Sequence, residues 1–358
     1  MESYRYGIIG AGKIGEVHAK EVVALAGAEL VAVASRSEVK ASALAKAMGC
    51  DYYTDYKALL LRDDIDIVII ATPNNSHGHI GIKAAQAGKH VIVEKPIDSD
   101  AIAAKELIAA CRINHVKLTC VFQHRFDPAI TALKAAIENQ QLGKLTFGGC
   151  YTKGYRTQVY YDSSPGRGTW QVDGGGAVMM NGIHYIDALT YLLGPIEEVF
   201  AYCKTMAHEG IEVEDVASAT VQFRNGMIGT IEASTAAFPG KHIRLEINGD
   251  EGSVIIENDH IKDWRLKTPE MAVKQFYGDL IDDGAFRDNG EAFERDFVDM
   301  HGKSRFQEIY VDFMGSIEQD RSPLITGESA LHSSEVVQAI YKSSREHRPV
   351  KVDGIGIV

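Results

Sequence analysis

Two polar side chains stand where apolar ones would be expected, and their types set the chemistry to look for. Lys95 closes Gly88-Lys89-His90-Val91-Ile92-Val93-Glu94-Lys95-Pro96-Ile97, an apolar run that ends in a charge pair and a proline. Lysine is seldom buried and proline is confined to strand ends, so the run predicts a strand that delivers an ammonium to its tip. His184 lies within Gly174-Gly175-Gly176-Ala177-Val178-Met179-Met180-Asn181-Gly182-Ile183-His184-Tyr185-Ile186-Asp187, where Ala177, Met180, Asn181 and His184 share one face of a predicted helix. A histidine on such a face is more often a satisfied core residue, but the three glycines that open the helix permit close approach of backbone to a ligand. An ammonium that can meet a developing alkoxide and an imidazole that can take a hydroxyl proton are two parts needed to oxidise a carbinol carbon.

The third part is a redox cofactor. Gly10-Ala11-Gly12-Lys13-Ile14-Gly15 is a G-x-G-x-x-G that follows a predicted strand and opens a predicted helix. In that context Gly10 makes the tight turn, Gly12 lets backbone approach a pyrophosphate, and Gly15 lets helix and strand pack closely. The helix N-terminus, with Lys13 and Ile14 in its first turn, supplies unpaired N–H groups. The next strand runs into Ala34-Ser35-Arg36-Ser37, with no carboxylate for the ribose hydroxyls. Ser35 and Arg36 suit a 2′-phosphate, which favours NADP over NAD, although an arginine here can also stack on adenine. Ser37 reads as a helix N-cap.

Ala71-Thr72-Pro73-Asn74-Asn75-Ser76-His77 ends the next apolar run, at the edge where such a sheet binds its ligand. Thr72 and Pro73 are expected at the cofactor and Asn74 is expected to reach it. His77, in the same loop, is placed with the cofactor contacts, although it reads chiefly as a helix cap or a bridge between loops. Glu94 and Lys95 are expected at the cofactor, with Glu94 tethering the Lys95 head or a neighbouring loop. Gln123 is expected near the nicotinamide, and Arg125 is given a structural role. Tyr155-Arg156 and Arg167-Gly168-Thr169-Trp170-Gln171-Val172-Asp173 form a polar, aromatic stretch before the glycines. Trp170 can stack on a sugar face or plug a domain interface, and Arg156 or Arg167 can meet an anionic group.

These residues need two different scaffolds. Up to residue 122, short apolar runs at Tyr6–Gly10, Glu29–Ala34, Asp66–Ala71, His90–Glu94 and Lys117–Phe122 alternate with helical patterns such as Ser37–Met48 and Asp100–Asn114. Strands apolar on both faces predict a doubly wound parallel sheet, an α/β domain over 1–122. Residues 123–358 carry longer alternating segments at Lys144–Tyr155, Glu214–Arg224, Met227–Thr235, His242–Asn248 and Ser253–Asn258. Asn225-Gly226 is a two-residue hairpin signal between two of them. The expectation is an antiparallel sheet with helices at Gly174–Leu193, Ser304–Gln319 and Glu328–Arg345, and an irregular excursion over Asp263–Gly302.

The 49 acidic residues exceed the 37 basic ones, for a formal net charge of −12. That balance repels nucleic acid and anionic membranes. No apolar run is long enough to span a bilayer and no secretory leader is evident, so a cytoplasmic protein is expected. The cysteines, Cys50, Cys111, Cys120, Cys150 and Cys203, are scattered without CxxC spacing and predict neither disulfides nor a metal site.

Taken in order, GIIGAGKIG, ATPNNSH, GKHVIVEKP, Gln123-His124-Arg125-Phe126-Asp127-Pro128 and GGGAVMMNGIHYID resemble the glucose–fructose oxidoreductase / inositol dehydrogenase (Gfo/Idh/MocA) family over nearly the whole chain. The resemblance implies a Rossmann domain followed by an α+β domain with a large open sheet that packs dimers or tetramers. It implies NAD(P), a sugar or cyclitol substrate in the cleft between the domains, Lys95 beside the nicotinamide with a cis bond to Pro96, and His184 as acid/base. Tyr155, Arg167, Trp170 and Asn181 join Lys95 and His184 on the substrate side. One departure stands out: polyol-oxidising relatives often carry aspartate where this chain has Met180. Asn181 is the candidate substitute as a substrate partner, and Asp187 the candidate to orient the imidazole. Two other classes fit the same motifs, a redox-neutral glycoside-cleaving enzyme with tightly held NAD and a non-enzymatic dinucleotide-binding sensor.

Overall fold

Strands apolar on both faces persist only where helices cover both sides, and the first half of the chain is built that way. The computed structural model describes residues 3–267, 286–288 and 303–352. Its first sheet comprises β1 (Tyr4–Ile9), β2 (Ala28–Ala34), β3 (Asp51–Tyr53), β4 (Ile67–Ile70), β5 (His90–Val93) and β6 (Leu118–Cys120), in the order β3-β2-β1-β4-β5-β6. Every neighbouring pair is parallel. Strand order reverses between β1 and β4, which leaves a crevice beyond their carboxyl ends. Tyr6, Ile8, Ile67, Ile69, Val91 and Ile92 are wholly buried. The short β3 was not anticipated from the sequence.

The second sheet comprises β7 (Leu145–Lys153), β8 (Ile196–Lys204), β9 (Val216–Phe223), β10 (Ile228–Ser234), β11 (His242–Gly249), β12 (Gly252–Glu257), β13 (His260–Lys267), β14 (Phe286–Asp288) and β15 (Val350–Lys351). Their order is β14-β13-β12-β11-β7-β10-β9-β8-β15. The sheet is mostly antiparallel, as expected, with one parallel pair, β10 and β7, in its middle. Asn225-Gly226 does turn β9 into β10, with Gly226 at φ +84°. The expected irregular stretch from Asp263 begins instead inside β13, and Phe286–Asp288 form β14; its remaining residues lie outside the described ones.

One face of this sheet packs against the helices Ile183–Leu193 and Gly327–Glu346. Across the strands, Tyr202, Ser218, Glu232 and Tyr151 pair in one row and Gln222, Ile228 and Phe147 in another. Tyr202 and Ile228 are more than half exposed, so this second face is open. The helix expected over Gly174–Leu193 starts as a π-helical turn, Val178–Gly182, before the α-helix Ile183–Leu193. Such turns are rare and recur at functional sites. Among the described residues no helix is long and apolar enough to cross a membrane.

Candidate active site

The crevice beyond β1 and β4 has a volume of ≈ 1030 Å³ and is lined by Gly10, Ala11, Gly12, Ser35, Arg36, Thr72 and Pro73 among others. Its floor requires glycine. A Cβ on Gly10 would lie 2.2 Å from the Ala71 carbonyl oxygen, and one on Gly15 would lie 1.9 Å from that of Gly10. At Gly12 a Cβ would meet nothing within 4 Å, so that position faces open space where a phosphate can approach. The helix Lys13–Val23 starts there with no side-chain cap on its N–H groups, and Lys13 and Ile14 are exposed on it. These features fit a dinucleotide. Past the end of β2, Ser35, Arg36 and Lys40 border the crevice, and the carboxylate there, Asp55, accepts from the Lys57 N–H at 3.0 Å. Ser37 caps the helix Glu38–Met48 as expected.

The loop after β4 departs from expectation. The Asn74 amide donates to the Asp173 carbonyl at 2.9 Å and to the Met180 sulfur at 3.7 Å, so it joins the two sheets' loops and does not reach into the crevice. Its neighbours Asn75 and Ser76 line the crevice instead. His77 is fully buried, its ring nitrogens 2.7 Å from the Pro96 carbonyl and 2.9 Å from that of Thr72. It bridges two loops, and its place among cofactor contacts is withdrawn.

Lys95 follows β5 and its bond to Pro96 is cis. The ammonium donates to the carbonyl of Met180 at 2.9 Å, within the π-helical turn. Burial pushes the Lys95 pKa down, with the Glu94 charge opposing. Glu94 does not hold the lysine head: one carboxylate oxygen accepts from the Lys95 backbone N–H at 2.9 Å, and the other meets His18 Nε2 at 3.1 Å. Glu94 is buried, which favours its neutral form, yet the His18 hydrogen bond and the charges around it hold its pKa below the ordinary value. Glu94 thus shapes the strand tip from behind, with its oxygens turned to the Lys95 N–H and His18 and not to the crevice.

His184 sits four residues beyond Met180. Burial drives its pKa well below that of an ordinary histidine, and the positive charges of Lys95 and His124 add to the effect. Its Nδ1 is buried without a hydrogen-bond partner, and so is Oε1 of Gln123. A buried polar atom without a partner is costly unless a ligand completes it. The ring stands edge-on to Phe122 and His124, with centroids at 6.2 and 5.5 Å. Aromatic packing, not a carboxylate, therefore orients it. The expected orienting residue, Asp187, is committed elsewhere: both its oxygens accept from Arg125 at 2.7 Å, and Oδ1 also accepts from Ser333. Arg125 has the structural role assigned to it.

On the far side of the π-helical turn, Asn181 Oδ1 accepts from Arg156 at 3.4 Å. Arg167 donates to the Tyr160 carbonyl and to Ser163. Trp170 is half exposed, edge-on to Tyr341 at 5.0 Å, and so does not plug the interface; Tyr155 is similarly exposed against Phe238. A small cavity beneath is lined by Tyr160, Tyr161, Asp173, Met180, Asn181 and Thr235 among others.

Sequence reasoning missed two supports. His18 lies on the buried stripe Gly15, His18, Ala19 and Val22 of the first helix, a polar residue at an apolar position, which was the readable signal. Glu214 is buried below the glycines and accepts from the N–H groups of Gly176 and Val178 at 3.0 and 2.8 Å and from the Tyr341 hydroxyl at 3.1 Å. It satisfies the opening of the helix that carries His184. His124, Asp127 and Asp259 also converge, but Arg305 pairs with both carboxylates, so the cluster is an ion-pair network.

Residues 4–122 match a family model described as oxidoreductase family, NAD-binding Rossmann fold, and residues 134–352 match its C-terminal alpha/beta domain. The chain is 29% identical over 357 residues to an inositol 2-dehydrogenase of Rhizobium meliloti, covering 97% of this chain and 99% of that one. Its fold matches the WlbA dehydrogenase of Bordetella pertussis, solved with NADH and UDP-GlcNAcA, at a TM-score of 0.83 and 27% identity over 98% of this chain and 99% of the other. A levoglucosan dehydrogenase solved with NADH and levoglucosan matches at a TM-score of 0.84 and 25% identity, over 98% and 100% of the two chains.

Proposed function

This chain belongs to the Gfo/Idh/MocA oxidoreductase family, and from that premise we propose that it is an NAD(P)-dependent dehydrogenase acting on a secondary hydroxyl of a sugar, sugar derivative or cyclitol. The carrying observation is that Lys95 is fastened to the helical turn that leads into His184, whose buried imidazole feels the Lys95 charge, in a chain whose β1–β4 crevice is floored by glycine. Relatives named for inositol and levoglucosan, and one solved with a nucleotide sugar, support a polyhydroxylated ring as substrate.

Gly10, Gly12, Gly15, Ser35, Arg36, Thr72 and Pro73 hold the dinucleotide. A nicotinamide dinucleotide bound there would supply the hydride acceptor for oxidation and the hydride donor for reduction. His184, kept neutral by its surroundings, accepts the hydroxyl proton during oxidation and returns it during reduction. Lys95 offers its ammonium to the substrate oxygen as negative charge develops, while its bond to Met180 fixes its direction. Asn181 and Gln123 orient the ring. Met180 in place of an acid leaves the imidazole without a carboxylate partner, so here it works as a weaker base than in a His–Asp pair.

Ser35, Arg36 and Lys40 favour NADP over NAD, since β2 itself ends without an acid and the nearby Asp55 caps its own helix. The division of labour is residues 1–122 for dinucleotide and 123–358 for substrate and assembly. Self-association as a dimer or tetramer uses the open face around Tyr202 and Ile228. The net charge of −12 fits a cytoplasmic enzyme that binds neither nucleic acid nor membrane. Screening free sugars, cyclitols, glycosides and nucleotide sugars with both dinucleotides, read by nicotinamide absorbance, tests the reading. Reduction with at least one member is expected, and a blank across the panel overturns it.

A further inference from the structure

Most arginines of this acidic protein rest on carboxylates: Arg62 on Asp51 and Asp64, Arg125 on Asp187, Arg305 on Asp127 and Asp259. Arg156 and Arg167 do not. Among the described residues the Arg156 guanidinium meets the Tyr155 carbonyl, the Asn181 amide oxygen and the ring of Tyr160. Arg167 contacts the Tyr160 carbonyl, the Ser163 hydroxyl and the same ring. The two guanidinium carbons lie 5.2 and 4.4 Å from the centroid of Tyr160, so one aromatic side chain holds both cations together. Tyr160 lines the small cavity that Met180 and Asn181 also line, and Asn181 is one helical turn before His184. Asp173, on that cavity, feels both Arg167 and Lys95, yet its side chain is already held by the Gly168 N–H at 2.7 Å.

We infer that Arg156 and Arg167 form a subsite for an anionic group on the sugar, so that the substrate is an acidic sugar rather than a neutral one. The inference rests on reading the crevice as a sugar site. A planar guanidinium matches carboxylate and phosphate geometry with paired donors, and the Tyr160 ring keeps two of them in one region. A neutral ring would leave both cations unanswered. The anion docks against the two arginines while a ring hydroxyl reaches Lys95 and His184 across Asn181.

Equilibrium binding to the full chain saturated with NADPH tests this with matched hexoses, hexuronates and hexose 6-phosphates of gluco, galacto and manno configuration. At least one anionic member is expected to bind tenfold or more tighter than its neutral counterpart, and the two anionic sets separate carboxylate from phosphate. Arg156→Gln, Arg156→Glu and Arg167→Gln should each erase that advantage, with NADPH binding unchanged and anionic sugars losing tenfold or more beyond any loss for their neutral counterparts. No anionic preference in any series, or equal losses for neutral and anionic sugars in the variants, overturns the inference. Because the readout is binding, its failure is separable from that of the dehydrogenase reading: neutral sugars oxidised without preference sink only the subsite, and anionic preference without any hydride transfer sinks only the chemistry.

Discussion

The ammonium of Lys95 donates to the Met180 carbonyl at 2.9 Å, fastening the tip of β5 to the helical turn that leads into His184. The same positive charge, second to burial, keeps the imidazole well below its ordinary pKa. Lys95→Met should therefore act twice. Turnover should fall by about 10²-fold or more with the loss of oxyanion stabilisation. In the residual activity, the acid limb of kcat/KM should move to higher pH, since a cause that lowers the His184 pKa has gone. His184→Ala should abolish that limb and cut turnover by about 10²–10⁴-fold. Folding and NADPH binding should survive in both, as melting and fluorescence titration will show.

Much of this arrangement was legible because it is local. The strand–glycine–helix order places Gly10, Gly12 and Gly15, and an apolar run that stops at Glu94-Lys95-Pro96 can end only at a sheet edge. What was not legible depends on distance along the chain. Nothing near Asp187 announces that Arg125, 62 positions earlier, will take both its oxygens. Nothing near Asn74 points to the Asp173 carbonyl. The π-helical turn defeats a reading based on 3.6-residue spacing, and β8 escapes because a bulge between Ile196 and Glu198 breaks its alternation.

The buried pair Arg125–Asp187 should be structural. Asp187→Ala leaves an uncompensated guanidinium in the core, at a cost of about 3–5 kcal/mol. Urea unfolding should show that loss, while the pH profile of the folded fraction stays where it was. A shifted profile would return Asp187 to the orientation of His184.

Glu214 gives stability a distinctive pH dependence. Burial raises its pKa to about 7, against the lowering effect of the Val178, Gly176 and Tyr341 donors. The folded state thus holds this proton more tightly than the unfolded chain does. Its contribution is complete below the unfolded carboxyl pKa and is lost as pH rises through about 7. The loss amounts to about 3 kcal/mol. Glu214→Gln should flatten that slope in chemical denaturation between pH 4.5 and 8; an unchanged slope would place the titration elsewhere.

Cofactor choice should turn on Arg36. Arg36→Ala is expected to weaken NADP about tenfold or more and NAD far less, because only the former carries a 2′-phosphate for the guanidinium. Parallel titrations of both dinucleotides read the ratio directly. Equal losses would mean that Arg36 merely stacks on the adenine.

The central claim is that this crevice moves a hydride to and from a sugar carbon. Reduced nicotinamide carrying deuterium at C4, incubated with the enzyme and a panel of ketosugars and inososes, tests it by mass spectrometry of the products. Deuterium on a single ring carbon, delivered about 10²-fold or more slowly by Lys95→Met and His184→Ala, is the predicted result. Dinucleotide bound but no label transferred to any member, or transfer undiminished in both variants, would contradict it.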